Sequence, residues 1–399
     1  MIPRALRGGA FWFQVVSSLS TTVVVLVAAR SLPVSEFAAY ALASALWASF
    51  AGVAQMSVVV IAIHSWTRGQ ASPHDVTNHA VTLVTWVALL ACAGGALSGH
   101  PEIFWGTVCG SAVVLVDVLK RLVVARGRVA HAIINDIVAG TVTATAFLVA
   151  GDRLTGATAL ALQGGVYLTV WLALIAITRQ GGALRGVVAF RAPLGWVRLN
   201  GRRLASSVGS SLASAGGGQI ALIGLAAASD LVIAGYRILQ TVFGPVSVVS
   251  NTLPLVVTGR VSAAVGRARI VIAAKTTALL WATTAVAMVA VLLLSGPLER
   301  FLGPTWTNAA PSVAAYAVLL AALQVNFGAQ ILLRTGTRTW PILTAGVIGG
   351  AGFALAAFSP FATALTPVLL AMAVSQLPAI AFGVWASVRD TSRPAVERS

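Results

Sequence analysis

The sequence predicts an all-α integral membrane protein: twelve transmembrane helices in two parallel six-helix halves, with both termini cytoplasmic. Three observations carry that expectation. Of the 399 residues, 58% are hydrophobic and only 9% are charged, and the mean hydropathy is +0.91. Soluble domains average about 25% charged residues, so a soluble globular protein is excluded. Basic residues collect in alternate connections along the chain, and short signals recur at nearly constant offsets.

Apolar runs bounded by charge, Gly or Pro place the twelve segments at 10–30, 37–62, 79–98, 103–124, 131–150, 157–178, 204–227, 231–256, 271–294, 310–333, 340–358 and 364–387. A span takes about 20 residues, so no connection is left that could hold a folded soluble domain. The first segment has one feature of a cleaved signal, because Arg4 and Arg7 precede it and Val27-Ala28-Ala29 suits a small-residue cleavage site. Gln14, Ser17, Ser18, Ser20, Thr21 and Thr22 along it instead suit a retained helix that faces protein or a water cavity.

Orientation follows from Lys and Arg in short loops, because carrying a cation across the bilayer is costly. Of the 26 basic residues, 22 fall before segment 1, near the ends of the even segments or after segment 12. Only Arg30, Arg153 and Arg300 fall on the opposite side, and Arg237 lies inside segment 8. The net charge of +16 is therefore a topology signal. Nucleic-acid binding is not expected, since the cations are scattered over seven short segments and do not gather on one surface. Cys92 and Cys109 sit within apolar runs and indicate no disulfide framework.

The longest cytoplasmic connection, 179–203, carries six arginines and divides the chain into an N-terminal half, 1–178, and a C-terminal half, 204–387, followed by a tail, 388–399. Ala39-Tyr40 early in segment 2 matches Gly235-Tyr236 early in segment 8, an offset of 196. Gly127 after segment 4 matches Gly336 after segment 10, an offset of 209. Six spans separate the halves, so each starts on the same side and the repeats are parallel, as in transporters that rock around a site between repeats.

These signals also resemble a known family. The run from Ala29 to Leu42, Ala-Arg-Ser-Leu-Pro-Val-Ser-Glu-Phe-Ala-Ala-Tyr-Ala-Leu, is similar to the signature at the helix 1–2 junction of Wzx-type polysaccharide-biosynthesis flippases. These belong to the MOP superfamily, which also holds the MATE exporters. Leu302-Gly303-Pro304-Thr305-Trp306 with Ala309, and the loop from Arg334 to Arg338, resemble two further motifs in the same order. Ala38 stands where the family usually has Gly. The resemblance implies a MOP/MATE-like fold in a bacterial plasma membrane and a polyprenyl-diphosphate-linked oligosaccharide as cargo. It also implies a polysaccharide polymerase and glycosyltransferases as partners. The alternatives are a MATE-like exporter of small organic cations and an integral-membrane glycosyltransferase. The second would need acidic residues on a sizeable exterior loop, whereas the first exterior connection, Leu32 to Phe37, is short.

Chemistry on the chain is sparse. No Gly-x-x-x-x-Gly-Lys-Ser/Thr loop occurs, and His64, His74, His79, His100 and His131 all fall at expected helix ends without metal-ligand spacing. No cofactor or metal is expected, and transport would draw on substrate mass action or on H+ or Na+ coupling. Ionisable groups inside spans are costly and mark partners or water. Asp117 has Lys120 and Arg121 three and four residues on, and Asp136 lies within reach of Arg126 or Arg128; both acids are coupling-ion candidates or members of structural ion pairs. Arg237, with Gln240 one turn on, is either a snorkelling anchor or a cavity cation suited to a diphosphate. Gln219, Asn326 and Gln330 join it as cavity candidates, with Gln376 nearby in segment 12 and Arg30 as a further cation. Interhelical hydrogen bonding is their other reading. Gly216, Gly217 and Gly218 weaken segment 7 locally and are expected either to hinge or to allow close packing.

Overall fold

Each of the twelve apolar segments folds as helix, since a backbone inside a bilayer must satisfy its own hydrogen bonds. The computed structural model describes residues 4–67, 72–180, 191–264, 267–334 and 340–391, and no strand occurs among them. The helices are α1 (Arg4–Ser31), α2 (Val34–Ala54), α3 (Val60–Thr67), α4 (Pro73–Leu97), α5 (Pro101–Ala125), α6 (Val129–Ala150) and α7 (Gly156–Ile177). They continue as α8 (Arg191–Ala228), α9 (Asp230–Val242), α10 (Gly244–Ala263), α11 (Arg267–Leu293), α12 (Ser295–Leu302), α13 (Pro304–Ala309), α14 (Val313–Arg334), α15 (Trp340–Ala357), α16 (Leu365–Ser375) and α17 (Leu377–Thr391).

Local sequence sets the boundaries. Ser72 accepts the amide of Asp75 at 3.1 Å ahead of Pro73, and Thr155 and Thr158 form a reciprocal capping box on α7. Gly127, at φ 82°, turns the chain between α5 and α6 in a conformation that other residues adopt only with strain. A π-helical turn, Gln55–Val59, joins α2 to α3. α9 and α10 meet at a 60° bend at Pro245, which lacks an N–H and crowds the carbonyl of Thr241. Pro378 breaks α16 from α17 in the same way.

Among the described residues, eight helical stretches are long and apolar enough to cross a membrane, or nine if the bent pair counts as one span. Of the remaining segments, α5 carries Glu102, Asp117, Lys120 and Arg121, while α8 and α15 have shorter apolar portions, Gly217–Ala228 and Leu343–Ala357. α8 differs from expectation, since it starts at Arg191, within the stretch read as a basic linker, and runs unbroken to Ala228. The expected exterior loop 295–309 is also helical, folded as α12 and α13 with a left-handed turn at Gly303, φ 55°.

The chain forms two units, Met1–Leu212 and Ala213–Ser399, with the boundary inside α8. In the first, α5 packs on α2, α4 and α7, and α1 packs on α6. In the second, α14 packs on α11, α16 and α17, and α15 packs on α16 and α17. Part of one pairing scheme therefore appears twice, with α14 on α11, α16 and α17 matching α5 on α4 and α7. It extends to single contacts: Ser20 of α1 lies against Gly140 of α6, and Gly217 of α8 lies against Gly350 of α15. The offsets of those pairs, 197 and 210, each differ by one residue from those of the sequence signals. Lipid tails are as apolar as leucine, so such small-residue contacts supply much of the helix association.

Candidate functional site

The signature at the start of α2 fastens that helix to α7. Glu36 Oε2 accepts the amide of Gly156 at 2.7 Å, placing a carboxylate at the N-terminus of α7, where free amides and the helix dipole favour it. One turn on, Tyr40 Oη donates to Gln163 Oε1 at 2.8 Å, both residues buried, with Phe147 edge-on to the Tyr40 ring at 6.1 Å. Glu36 and Tyr40 therefore position helices. Tyr40→Phe is expected to lower stability by about 1–3 kcal/mol, because Gln163 loses its donor in a buried place. A melting curve checks this, and Tyr40→Phe with Gln163→Leu is expected to recover part of the loss.

Four charges gather where α5 and α6 meet in the first unit. Arg121 Nε donates to Asp117 Oδ2 at 2.7 Å, an i,i+4 pair. Lys120 donates across to Asp136 Oδ1, and both side chains are buried. This corrects the expectation that Lys120 shares Asp117 and that Arg126 or Arg128 meets Asp136. The two loop arginines flank Gly127, and burial together with the neighbouring Arg128 holds Arg126 below the ordinary arginine value. Ser20 Oγ donates to the Asp136 carbonyl at 2.7 Å, and Asn135 Nδ2 to the Val170 carbonyl at 3.4 Å. Both coupling-ion candidates are thus bound to cations of the chain itself.

In the second unit Arg237 lies on α9 and is buried, with 8% of its surface exposed. Exposure this low argues against a headgroup anchor, which would reach outward. Its Nη1 donates to Gln240 Oε1 at 2.5 Å. Thr241 Oγ1 donates to the Arg237 carbonyl at 2.7 Å, and Tyr236 stacks edge-on to Tyr316 at 5.9 Å. Asn326 Nδ2 donates to Gln376 Oε1 at 3.1 Å, and Gln376 Nε2 to the Gly349 carbonyl at 3.1 Å. That chain of bonds ties α14 and α15 to the break between α16 and α17, as the interhelical reading expects. With the 209-residue offset, Asn326 and Gln330 fall on Asp117 and Arg121, so a neutral network stands where the first half carries charge.

The remaining candidates are dispersed. Gln219 is partly buried on α8, and Arg30 is exposed at the end of α1. The side chain of Gln330 and the surroundings of Gly216 lie outside what the structure describes. α8 runs as continuous helix through Gly216, Gly217 and Gly218, and a Cβ built at Gly217 would overlap the backbone of Gly350. The structure thus shows close packing at this point and no break. Sequence reasoning missed Arg269, a buried residue on α11 whose Nη2 donates to the Leu332 carbonyl at 3.2 Å in the last turn of α14. It also missed Gln324, whose Nε2 donates to Thr284 Oγ1 at 2.7 Å. Arg269 reads as a loop cation because it lies just before the apolar run of α11.

No protein-family model matches the chain, and no curated protein matches it. Solved structures do. The lipid II flippase MurJ in an inward closed conformation aligns with a TM-score of 0.61 and 13% identity, over 96% of this chain and 87% of that one. A MOP superfamily transporter from Pyrococcus furiosus aligns with a TM-score of 0.62 and 11% identity, over 99% and 96%. An outward-facing MATE family transporter of the same superfamily gives 0.63 and 12%, over 99% and 96%. The chain therefore has the multi-pass membrane fold of MOP superfamily transporters.

Proposed function

We propose that the chain is a twelve-span transporter of the bacterial plasma membrane, with both termini cytoplasmic. It moves a polyprenyl-diphosphate-linked oligosaccharide to the outer leaflet for polysaccharide biosynthesis, in the manner of a Wzx-type flippase. A polymerase and glycosyltransferases are its working partners. The observation that carries this reading is Arg237, a guanidinium buried within a span. Ionisable side chains inside spans mark substrate or ion pathways, and a planar guanidinium is suited to bidentate contact with an anionic diphosphate. The hydrogen bond from Nη1 to Gln240 Oε1 orients the guanidinium. MurJ, named as a flippase of a lipid, supports the choice of a lipid-linked cargo.

The alternative, export of a small organic cation as in the MATE neighbours, needs a membrane carboxylate open to that cation. Asp117 and Asp136 are each held by a basic side chain of the chain itself, which favours the lipid-linked anion. Mass spectrometry of lipid co-purified in mild detergent tests the reading. A polyprenyl diphosphate glycan is expected, and capture of small cations with no such lipid would overturn it.

Topology is tested separately. Cysteines placed at Ala183, which lies outside the described residues, and at Asn308, which is exposed at the end of α13, are expected to label from opposite sides of the membrane. Reaction of both with an impermeant thiol reagent added to intact cells would contradict the proposed orientation.

A further inference from the structure

Lys120 and Asp136 face each other inside an apolar bundle, with side chains 5% and 4% exposed. Removing two charges from water is costly, and apolar residues of similar size commonly serve stability as well or better. Their surroundings suggest a specific use for the ammonium. Lys120 Nζ meets Asp136 Oδ1 and lies 5.6 Å from the centre of the Phe13 ring. Ser17 of α1 lies beside the same carboxylate, and Ser20, one turn on, binds the Asp136 carbonyl. Among the described residues, Asp117 of α5, itself paired with Arg121, and Tyr167 of α7 are the other titratable groups facing this acid. A carboxylate oxygen and an aromatic face at the ammonium, with a hydroxyl beside that carboxylate, make a setting for a desolvated monovalent cation. The cation present is part of the chain.

We propose that the Lys120 ammonium is a tethered substitute for a coupling cation. It occupies at Asp136 the place that a sodium ion or a proton would otherwise take, so this carboxylate binds neither while Lys120 is intact. The inference deepens the transporter reading by assigning this acid no part in gradient coupling. It rests on that reading for its meaning, but its test needs no cargo. The 209-residue offset places Ala329 opposite Lys120, so the device belongs to the first half.

The test is the melting temperature of the purified full chain in nanodiscs, in sodium chloride against equimolar choline chloride, at neutral and acidic pH. Wild type is expected to melt equally in the two salts. Lys120→Met ends short of the ammonium position and leaves the acid alone. It is expected to melt about 5 °C lower in choline at neutral pH. Recovery in sodium identifies a sodium-like site, and recovery on acidification a proton site. Lys120→Met combined with Asp136→Asn is expected to show neither response. Stabilisation of wild type by sodium over choline would overturn the proposal, and that arm requires no variant to fold. So would a Lys120→Met protein whose stability follows neither sodium nor pH differently from the double variant.

Discussion

Arg237→Ala is expected to lower transport of lipid-linked oligosaccharide by about ten- to a hundredfold at unchanged membrane abundance. That range corresponds to the about 1.5–3 kcal/mol of one hydrogen-bonded charged contact. Arg237→Lys keeps the charge but loses the planar fork, so it is expected to retain an intermediate rate. Gln240→Ala removes the oriented acceptor and is expected to fall between wild type and Arg237→Lys. An anchoring role predicts a different ranking, with Lys equal to Arg because both reach headgroups equally well. Initial rates in proteoliposomes, normalised to reconstituted protein, distinguish the two. Wild-type rates for Arg237→Ala would show that the cargo's charge is met elsewhere, with exposed Arg30 the next candidate.

Gly217→Ala is expected to destabilise the protein, whereas Gly218→Ala leaves stability unchanged or raises it. At Gly217 a single added carbon would overlap the Gly350 backbone, which cannot swing aside as a side chain can. Overpacking of this kind costs about 1–3 kcal/mol, and the contact is one of the small-residue approaches that join helices in lipid. At Gly218 no atom lies within 4 Å of the built Cβ, so the substitution meets open space and gains helix propensity of about 0.5–1 kcal/mol. Melting curves and folded yield of the two variants check the contrast. If both behaved alike, the α8–α15 contact would have no energetic weight.

Much of the helical layout is legible in the chain, because span length and apolarity are properties of contiguous residues. The 60° bend at Pro245 and the break at Pro378 likewise follow from single prolines. What packing decides was not legible. Lys120 and Arg121 lie three and four residues from Asp117, so local spacing allows either to pair with it. Only the approach of α6 assigns Arg121 to Asp117 and Lys120 to Asp136. Asn326 and Gln376 read equally well as cavity lining or as interhelical bonding, and their mutual hydrogen bond is a contact between residues 50 apart in sequence. Three adjacent glycines read as a weak point in an isolated helix, while the fold uses Gly217 as a close contact. Arg269 was missed because the segment is expected to start at 271 whereas α11 starts at Arg267, a four-residue difference that turns a helical, buried arginine into a loop cation.

The central claim is translocation of a polyprenyl-diphosphate-linked glycan, and its most direct measurement is the rate at which such a lipid changes leaflets in proteoliposomes holding the purified chain. The proposed function predicts that glycan added to one leaflet becomes accessible to a glycan-modifying enzyme on the other, faster than in protein-free liposomes and more slowly with Arg237→Ala. Equal rates with and without the protein, alongside efflux of a small organic cation by the same preparation, would contradict it.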